Sequence, residues 1–310
     1  MNKILLILTA SLFISCNSPE NIAIKAAVVS ARTEASKIGV NIMDKGGNAF
    51  DAMIATDLAL SVCYPNAGNI AGGGFLVYRK NDGSFGSLDY REKAPSLASR
   101  DMYLNSDGNV IKGKSIIGGL AIGVPGTVAG LYEVHKKFGS LPWSELVQPA
   151  IDLATRGYLV TEKQQKSFDG KKNEFIEVNG ENTFYAKKHE KGDIVINLPL
   201  ANTLKLIQEN GRAGFYQGVN AERFINRVKN TGGIISKEDL KNYYPVWRKP
   251  IQFEYKELTI TSMAPPSSGG VCLGQMLKMI EPFDIKKYGH NSMESIQVMV
   301  EAERRSYADR

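Results

Sequence analysis

Apolar residues recur along this chain first at helical and then at strand spacing, and the switches between the two outline its elements. From Thr33, the residues Ala35, Ile38 and Ile42 fall on one helical stripe, and Gly46-Gly47 end it. Asn48, with Asp51 three residues later, has the pattern of a capping box opening a second helix over Ala49 to Tyr64. Phe50, Met53, Ile54, Leu58, Leu60 and Val62 make that segment apolar almost all round, which predicts a helix buried between layers; Pro65 stops it. Asp57 within it reads as a hydrogen-bonded core carboxylate rather than a catalytic acid. The period then changes. Ala71 to Gly74 form a glycine-rich entry, Phe75 to Tyr78 a short apolar strand, Asn81-Asp82-Gly83 a turn, and Phe85 to Tyr90 a return strand.

Helical spacing returns from Thr127 to Phe138, ended by Gly139. Another helical stretch begins at Pro142-Trp143, with Pro149 expected to interrupt it and Gly157 to end it. The glycines from Gly123 to Gly126 lack a following Lys-Ser or Lys-Thr, so they predict a tight helix entry rather than a phosphate loop. Residues 161–200 are polar and predicted to be peripheral. Helices are expected over Leu198 to Gly211 and Gly218 to Thr231, and a short one capped by Ser236 with Asp239. Paired strands are expected over Arg248 to Thr261, then a helix through Leu273, Met276, Leu277 and Ile280. Asn291 with Glu294 predicts a cap for a last helix, which runs into Arg310 without a glycine stop and so suggests a polypeptide meant to continue.

Composition narrows the function classes. The chain has 310 residues, 43% hydrophobic and 23% charged, which suits one large domain or two small ones with a real core. Its net charge of +6 could suggest a polyanion partner. The lysines from Lys163 to Lys191 are interleaved with Asp169, Glu174, Glu177, Glu181 and Glu190, however, and no nucleic-acid motif accompanies them, so a nucleic-acid partner is not expected. His135, His189 and His290 stand far apart, so no metal site and no cofactor is expected. Cys63 and Cys272 lie in apolar settings and read as buried free thiols, with a disulfide between them as the alternative in an oxidising compartment.

The N-terminus points to export. Lys3 precedes the apolar run from Ile4 to Ile14, too short to span a bilayer and fitting a secretory signal. Phe13-Ile14-Ser15-Cys16 resembles a bacterial lipoprotein box, with Phe13 in place of the usual leucine. On that reading residues 1–15 are the signal peptide, Cys16 is lipidated, 16–25 is a linker and the protein is periplasmic or membrane-anchored. The alternative is a plain signal peptide with an incidental cysteine. Cys16 as an N-terminal nucleophile is disfavoured, because it directly follows an export segment.

The most informative chemical residue is Arg91, in Asp89-Tyr90-Arg91-Glu92-Lys93-Ala94-Pro95 just past the glycine-rich hairpin. An arginine there can fork two hydrogen bonds onto a carboxylate, or simply pair with Asp89 or Glu92 at the surface. Seven ordered strings bear on the choice. They are Gly46-Gly47-Asn48-Ala49-Phe50-Asp51-Ala52, Ala71-Gly72-Gly73-Gly74-Phe75, Asp89 to Pro95, Gly123-Val124-Pro125-Gly126, Gly214-Phe215-Tyr216-Gln217-Gly218, Pro265-Pro266-Ser267-Ser268-Gly269-Gly270 and Tyr307-Ala308-Asp309-Arg310. Together they make the chain, from Ala26 to Arg310, resemble the large-subunit part of a γ-glutamyltranspeptidase, or glutathione hydrolase.

The resemblance implies an α+β fold of the N-terminal-nucleophile hydrolase type, an αββα sandwich of which this chain holds only the large-subunit half. It implies a precursor that cuts itself, and a small subunit whose new N-terminal threonine attacks the γ-glutamyl group and passes it to water, an amino acid or a dipeptide. Glutathione and other γ-glutamyl compounds are the implied substrates. Arg91 takes the role of gripping the glutamate α-carboxylate, and Glu92 that of orienting Arg91 or a neighbour. The threonine-led motif of the small subunit does not occur in these residues, so no catalytic residue is assigned to this chain and the chain alone is expected to be inactive. Two alternatives stay open: a truncated, inactive relative acting as a binding or scaffold module, and a cephalosporin or glutaryl acylase.

Overall fold

The cap expected at Asn48 forms, and it seats a helix of which ten of the fifteen residues are buried. In the computed structural model, which describes residues 25–310, α1 (Thr33–Asp44) turns at Gly46 into α2 (Ala49–Cys63). Asn48 Oδ1 accepts the N–H of Phe50 at 2.8 Å and of Asp51 at 3.0 Å, while Asp51 returns to the Asn48 N–H at 3.0 Å. Asp51 is fully buried and also accepts the Ser140 N–H at 3.1 Å, so the cap ties α2 to a distant loop. Ile54, Ala55, Leu58, Ala59 and Val62 are all buried, as a helix apolar all round requires. Residues 1–24, with the expected signal peptide and Cys16, lie outside the described residues.

The hairpin follows the expected register. β1 (Phe75–Arg79) and β2 (Phe85–Asp89) are antiparallel, with Leu76 opposite Leu88 and Phe75 opposite Asp89. Alternation sends Leu76, Leu88 and Tyr90 to one face and Phe75, Asp89 and Arg91 to the other. The first face meets helices: Leu88 is fully buried, and Tyr90 packs on Gly130 of α3 (Thr127–Phe138). Next come α4 (Trp143–Arg156), β3 (Tyr158–Leu159), α5 (Glu162–Asn179), β4 (Ile194–Val195) and α6 (Leu198–Asn210). They are followed by α7 (Ala213–Tyr216), α8 (Gly218–Asn230), α9 (Lys237–Lys241) and β5 (Val246–Arg248). β5 comes back to pair antiparallel with β2, placing Arg248 opposite Ser87 and giving the sheet order β1-β2-β5. Phe50, Tyr78, Phe138 and Trp247 interlock α2, β1, α3 and β5, with Phe50 stacked on Phe138 at 4.3 Å. The chain ends in β6 (Ile251–Tyr255), β7 (Leu258–Ser262), α10 (Ser268–Ile280), α11 (Ile285–Tyr288) and α12 (Met293–Asp309), with β6 and β7 paired to each other. Among the described residues the three-stranded sheet thus packs against helices on its Leu88 face, and the separate β6–β7 pair packs against α10, which in turn packs on α12.

Two expectations are corrected, and one helix was not foreseen. Pro149 does not interrupt α4, although it removes the donor to Glu145. Leu146, Val147, Ala150, Ile151 and Ala154 are buried along that helix, and burying five such side chains outweighs a proline cost of about 3 kcal/mol. The polar stretch after residue 161 contains the 18-residue helix α5, opened by a Thr161–Gln164 capping box. It is peripheral as expected, with only Gln164 and Phe168 buried. The cap of α12 is Ser292, whose Oγ accepts the Ser295 N–H at 3.1 Å; Asn291 instead takes the left-handed conformation at φ 55°.

Candidate functional site

Arg91 emerges where β2 ends, and small residues press its backbone in from both sides. A Cβ on Gly73 would lie 2.7 Å from the Tyr90 carbonyl oxygen and 2.8 Å from the Arg91 Cα, so only glycine lets the strand entry cross there. A Cβ on Gly126 would lie 1.9 Å from that same oxygen. The Gly126 N–H donates to the Gly72 carbonyl at 2.6 Å, and Lys93 and Val124 exchange backbone bonds at 2.7 and 3.2 Å. The tight helix entry expected at Gly123 to Gly126 is therefore the floor under Arg91.

Of the charged residues around Arg91, Asp89 and Lys93 are already engaged by other groups. Asp89 is buried; its Oδ1 accepts the Arg91 N–H at 3.0 Å, and its Oδ2 takes Nε and Nη2 of Arg248 at 2.9 and 2.8 Å. Lys93 Nζ donates to the Tyr244 carbonyl at 2.8 Å and lies 4.9 Å from the Tyr243 ring centre. Glu92 is exposed, rests over Gly123, and forms no hydrogen bond or ion pair with Arg91 among the described residues. The surface ion pair between Arg91 and Asp89 or Glu92 is therefore not formed. The exposed Arg91 guanidinium has no carboxylate partner among the described residues, and its carbon lies 6.0 Å from the Phe75 ring centre. A cation presented this way at the end of a rigid strand can accept an external carboxylate in bidentate fashion.

Two residues that hold this frame were not foreseen. Arg248 clamps Asp89 from 159 residues away, and the Tyr243 hydroxyl donates to the Arg91 carbonyl at 2.8 Å from 152 residues away. Nothing local in the sequence marks either one, because the return of β5 brings them in.

On the other side of the sheet Asp57 and Thr56 line a groove with Met53, Leu60, Leu76 and Tyr90. Asp57 is not the hydrogen-bonded core carboxylate expected: its carboxyl has no hydrogen-bond partner among the described residues, and burial pushes its pKa up to about 6. The Thr56 hydroxyl is buried without a partner as well. Cys63 and Cys272 are separate buried thiols, and burial pushes Cys63 up to about 11, which leaves it unreactive. Among the described residues no group of three metal-ligating side chains gathers, and no helix is long and apolar enough to cross a membrane.

The comparisons with known proteins agree with this frame. The family model for gamma-glutamyltranspeptidase matches residues 35–310. The chain belongs to the γ-glutamyltranspeptidase family. It is 42% identical over 288 residues to the glutathione hydrolase proenzyme of Escherichia coli, a match that takes in 91% of this chain and 50% of that protein. The chain thus spans about half the length of the curated relatives it matches. The crystal structure of Helicobacter pylori gamma-glutamyltranspeptidase superposes with a TM-score of 0.91 at 40% identity, covering 94% of this chain and 85% of that one. A cephalosporin acylase from Bacillus halodurans shares the fold at a TM-score of 0.78, with identity falling to 26% over 96% of this chain and 57% of that one.

Proposed function

We propose that this chain is the large-subunit portion of an exported γ-glutamyltransferase and glutathione hydrolase, and that Arg91 binds the α-carboxylate of the γ-glutamyl donor. The observation that carries the reading is the assignment of charges around β2. Asp89 is committed to Arg248 and to the Arg91 N–H, so the Arg91 guanidinium is left for a ligand. A bidentate pair with a carboxylate fixes both the position and the rotation of that carboxylate, which orients the γ-carbonyl at the other end of the glutamyl chain.

The acyl transfer itself runs through a threonine-bound γ-glutamyl intermediate whose nucleophile lies outside this chain, with water, an amino acid or a dipeptide as acceptor. Within these residues the contribution is binding and orientation. Glu92 belongs to the rim of the site, and Cys16 is a lipid anchor for the exported protein. The acylase reading has less support, because identity to the acylase is 26% against 42% for the glutathione hydrolase.

The test is Arg91→Lys in the complete enzyme with a γ-glutamyl anilide as donor. An ammonium keeps the charge and loses the fork, so KM rises about tenfold while kcat changes little. An unchanged KM removes Arg91 from the binding site. The purified chain alone is expected to release no anilide product, and turnover free of contaminating enzyme overturns that part.

A further inference from the structure

The Arg91 peptide is held by side chains at both ends, and the two holds differ in kind. Asp89, which takes the N–H, sits two residues away on the same strand. Tyr243, which donates to the carbonyl, belongs to the turn between α9 and β5, and that turn is itself fastened. The Arg212 guanidinium donates to the carbonyls of Leu240, Lys241 and Tyr243 at 3.3, 3.0 and 2.6 Å, and lies between the rings of Tyr216 and Tyr244 at 4.6 and 4.7 Å. The Tyr216 ring is near-parallel to that of Tyr243 at 6.0 Å, and its hydroxyl donates to the Pro125 carbonyl at 2.7 Å, beside the Gly126 that floors the site. A Cβ at Gly126 would come within 2.2 Å of the Tyr243 hydroxyl, so the glycine keeps open the space that hydroxyl occupies.

We infer that Tyr243 is a positioning residue for donor binding: its hydroxyl, mounted on the Arg212–Tyr216 platform, sets the height and direction of Arg91. The inference rests on the proposed role of Arg91. A hydrogen bond to the backbone at that residue acts on the guanidinium through the Cα, so a loss there tilts the fork relative to the carboxylate without removing any charge. A bidentate contact is sensitive to such a tilt, since both N–H groups must stay near the acceptor plane. The phenol itself does no acid–base work: burial, with Asp89 and Glu92 nearby, pushes its pKa above the ordinary tyrosine value, so it stays protonated and a donor.

The experiment compares Tyr243→Phe, Arg91→Lys and the double variant in the complete enzyme with a γ-glutamyl anilide. Tyr243→Phe is expected to raise KM about two- to tenfold, the range for losing one ordinary hydrogen bond, with kcat within twofold. In the Arg91→Lys background the same change is expected to add little to KM, because the fork it positions is already gone. Two failures are distinct. If Arg91→Lys leaves KM unchanged, the reading of Arg91 is wrong; if Arg91→Lys raises KM and Tyr243→Phe does not, the positioning role is wrong. A KM rise that is fully additive in the double variant also overturns it, since a merely structural residue gives that result. In the complete enzyme, hydrogen exchange supplies a second readout. Tyr243→Phe is expected to speed exchange at the Arg91 amide at least threefold while the amides of α2 keep their rates; unchanged exchange at Arg91 overturns the inference without any assay of turnover.

Discussion

Replacing Asp57 by asparagine is expected to stabilise this protein at neutral pH and to do nothing at pH 3.5. Asp57 lies in the groove between α2 and the sheet, beside Thr56 and Tyr90, with no donor among the described residues to support its charge. Burial raises its pKa from 3.8 to about 6 in the folded chain, while the unfolded chain keeps the ordinary value. Below pH 3.8 both states hold the proton, and the group costs nothing. Between there and pH 6 the unfolded state releases its proton first, so stability falls as pH rises; above pH 6 the loss is complete. A difference of about 2 pKa units at 1.36 kcal/mol each gives up to about 3 kcal/mol. Because the residue is only half-buried, about 2 kcal/mol is the better expectation at pH 7. Asparagine has the same shape and no charge, so its stability lacks this component. Urea unfolding of both proteins at pH 3.5, 5 and 7 measures the difference, in which all other titrating groups cancel. A gap that grows from zero to about 2 kcal/mol in favour of the variant supports the reasoning. A gap independent of pH, or a variant less stable at pH 7, refutes it.

Three further outcomes test the frame around Arg91 and the helices behind it. Asp89→Asn weakens the clamp of Arg248 on β2, and since Arg248 is partly exposed the cost is expected at about 1–3 kcal/mol, read as a lower urea midpoint. Gly126→Ala puts a methyl group within 1.9 Å of the Tyr90 carbonyl oxygen, so a loss of at least about 3 kcal/mol or failure to fold is expected, and an unchanged melting temperature contradicts the packing described. Pro149→Ala restores a donor to the Glu145 carbonyl inside α4 and is expected to stabilise by about 1 kcal/mol, because the freer unfolded chain offsets part of the gain; a lower melting temperature contradicts this.

What could be read from the sequence divides by distance along the chain. The α2 cap, the β1–β2 hairpin and the helix entry at Gly126 are local, fixed by residue types within three or four positions, and each formed as expected. The Thr161–Gln164 box was equally local; it was lost because a polar face at the surface leaves no apolar stripe to follow. Pro149 shows the converse, a strong local signal overruled by a buried stripe that only the tertiary packing on α2 and α6 supplies.

The site falls on both sides of that division. Arg91 was legible because the strand register and the motifs around it are sequential, but its state of pairing was not. Asp89 and Glu92 were the natural partners by proximity, and proximity alone favours a surface ion pair. That pairing fails because β5 delivers a second arginine to the same carboxylate. With one carboxylate and two guanidinium groups in reach, the buried geometry decides. Arg248 lies opposite Ser87 across the sheet and reaches Asp89 Oδ2 with two of its nitrogens, whereas Arg91 reaches Oδ1 only through its own backbone. Neutralising Asp89 with a partner other than Arg91 lets β2 bury an acidic residue two positions from an exposed cation without the two collapsing together. The Arg91 guanidinium, left without a carboxylate partner among the described residues, is then the attractive feature of the strand end. If so, Arg248→Met frees Asp89 to draw the Arg91 guanidinium back onto itself, and donor KM in the complete enzyme rises even though Arg248 touches no substrate. Restoring KM with the double variant Asp89→Asn, Arg248→Met, which removes the competing carboxylate charge, separates that competition from simple loss of structure. A double variant no better than Arg248→Met alone refutes it.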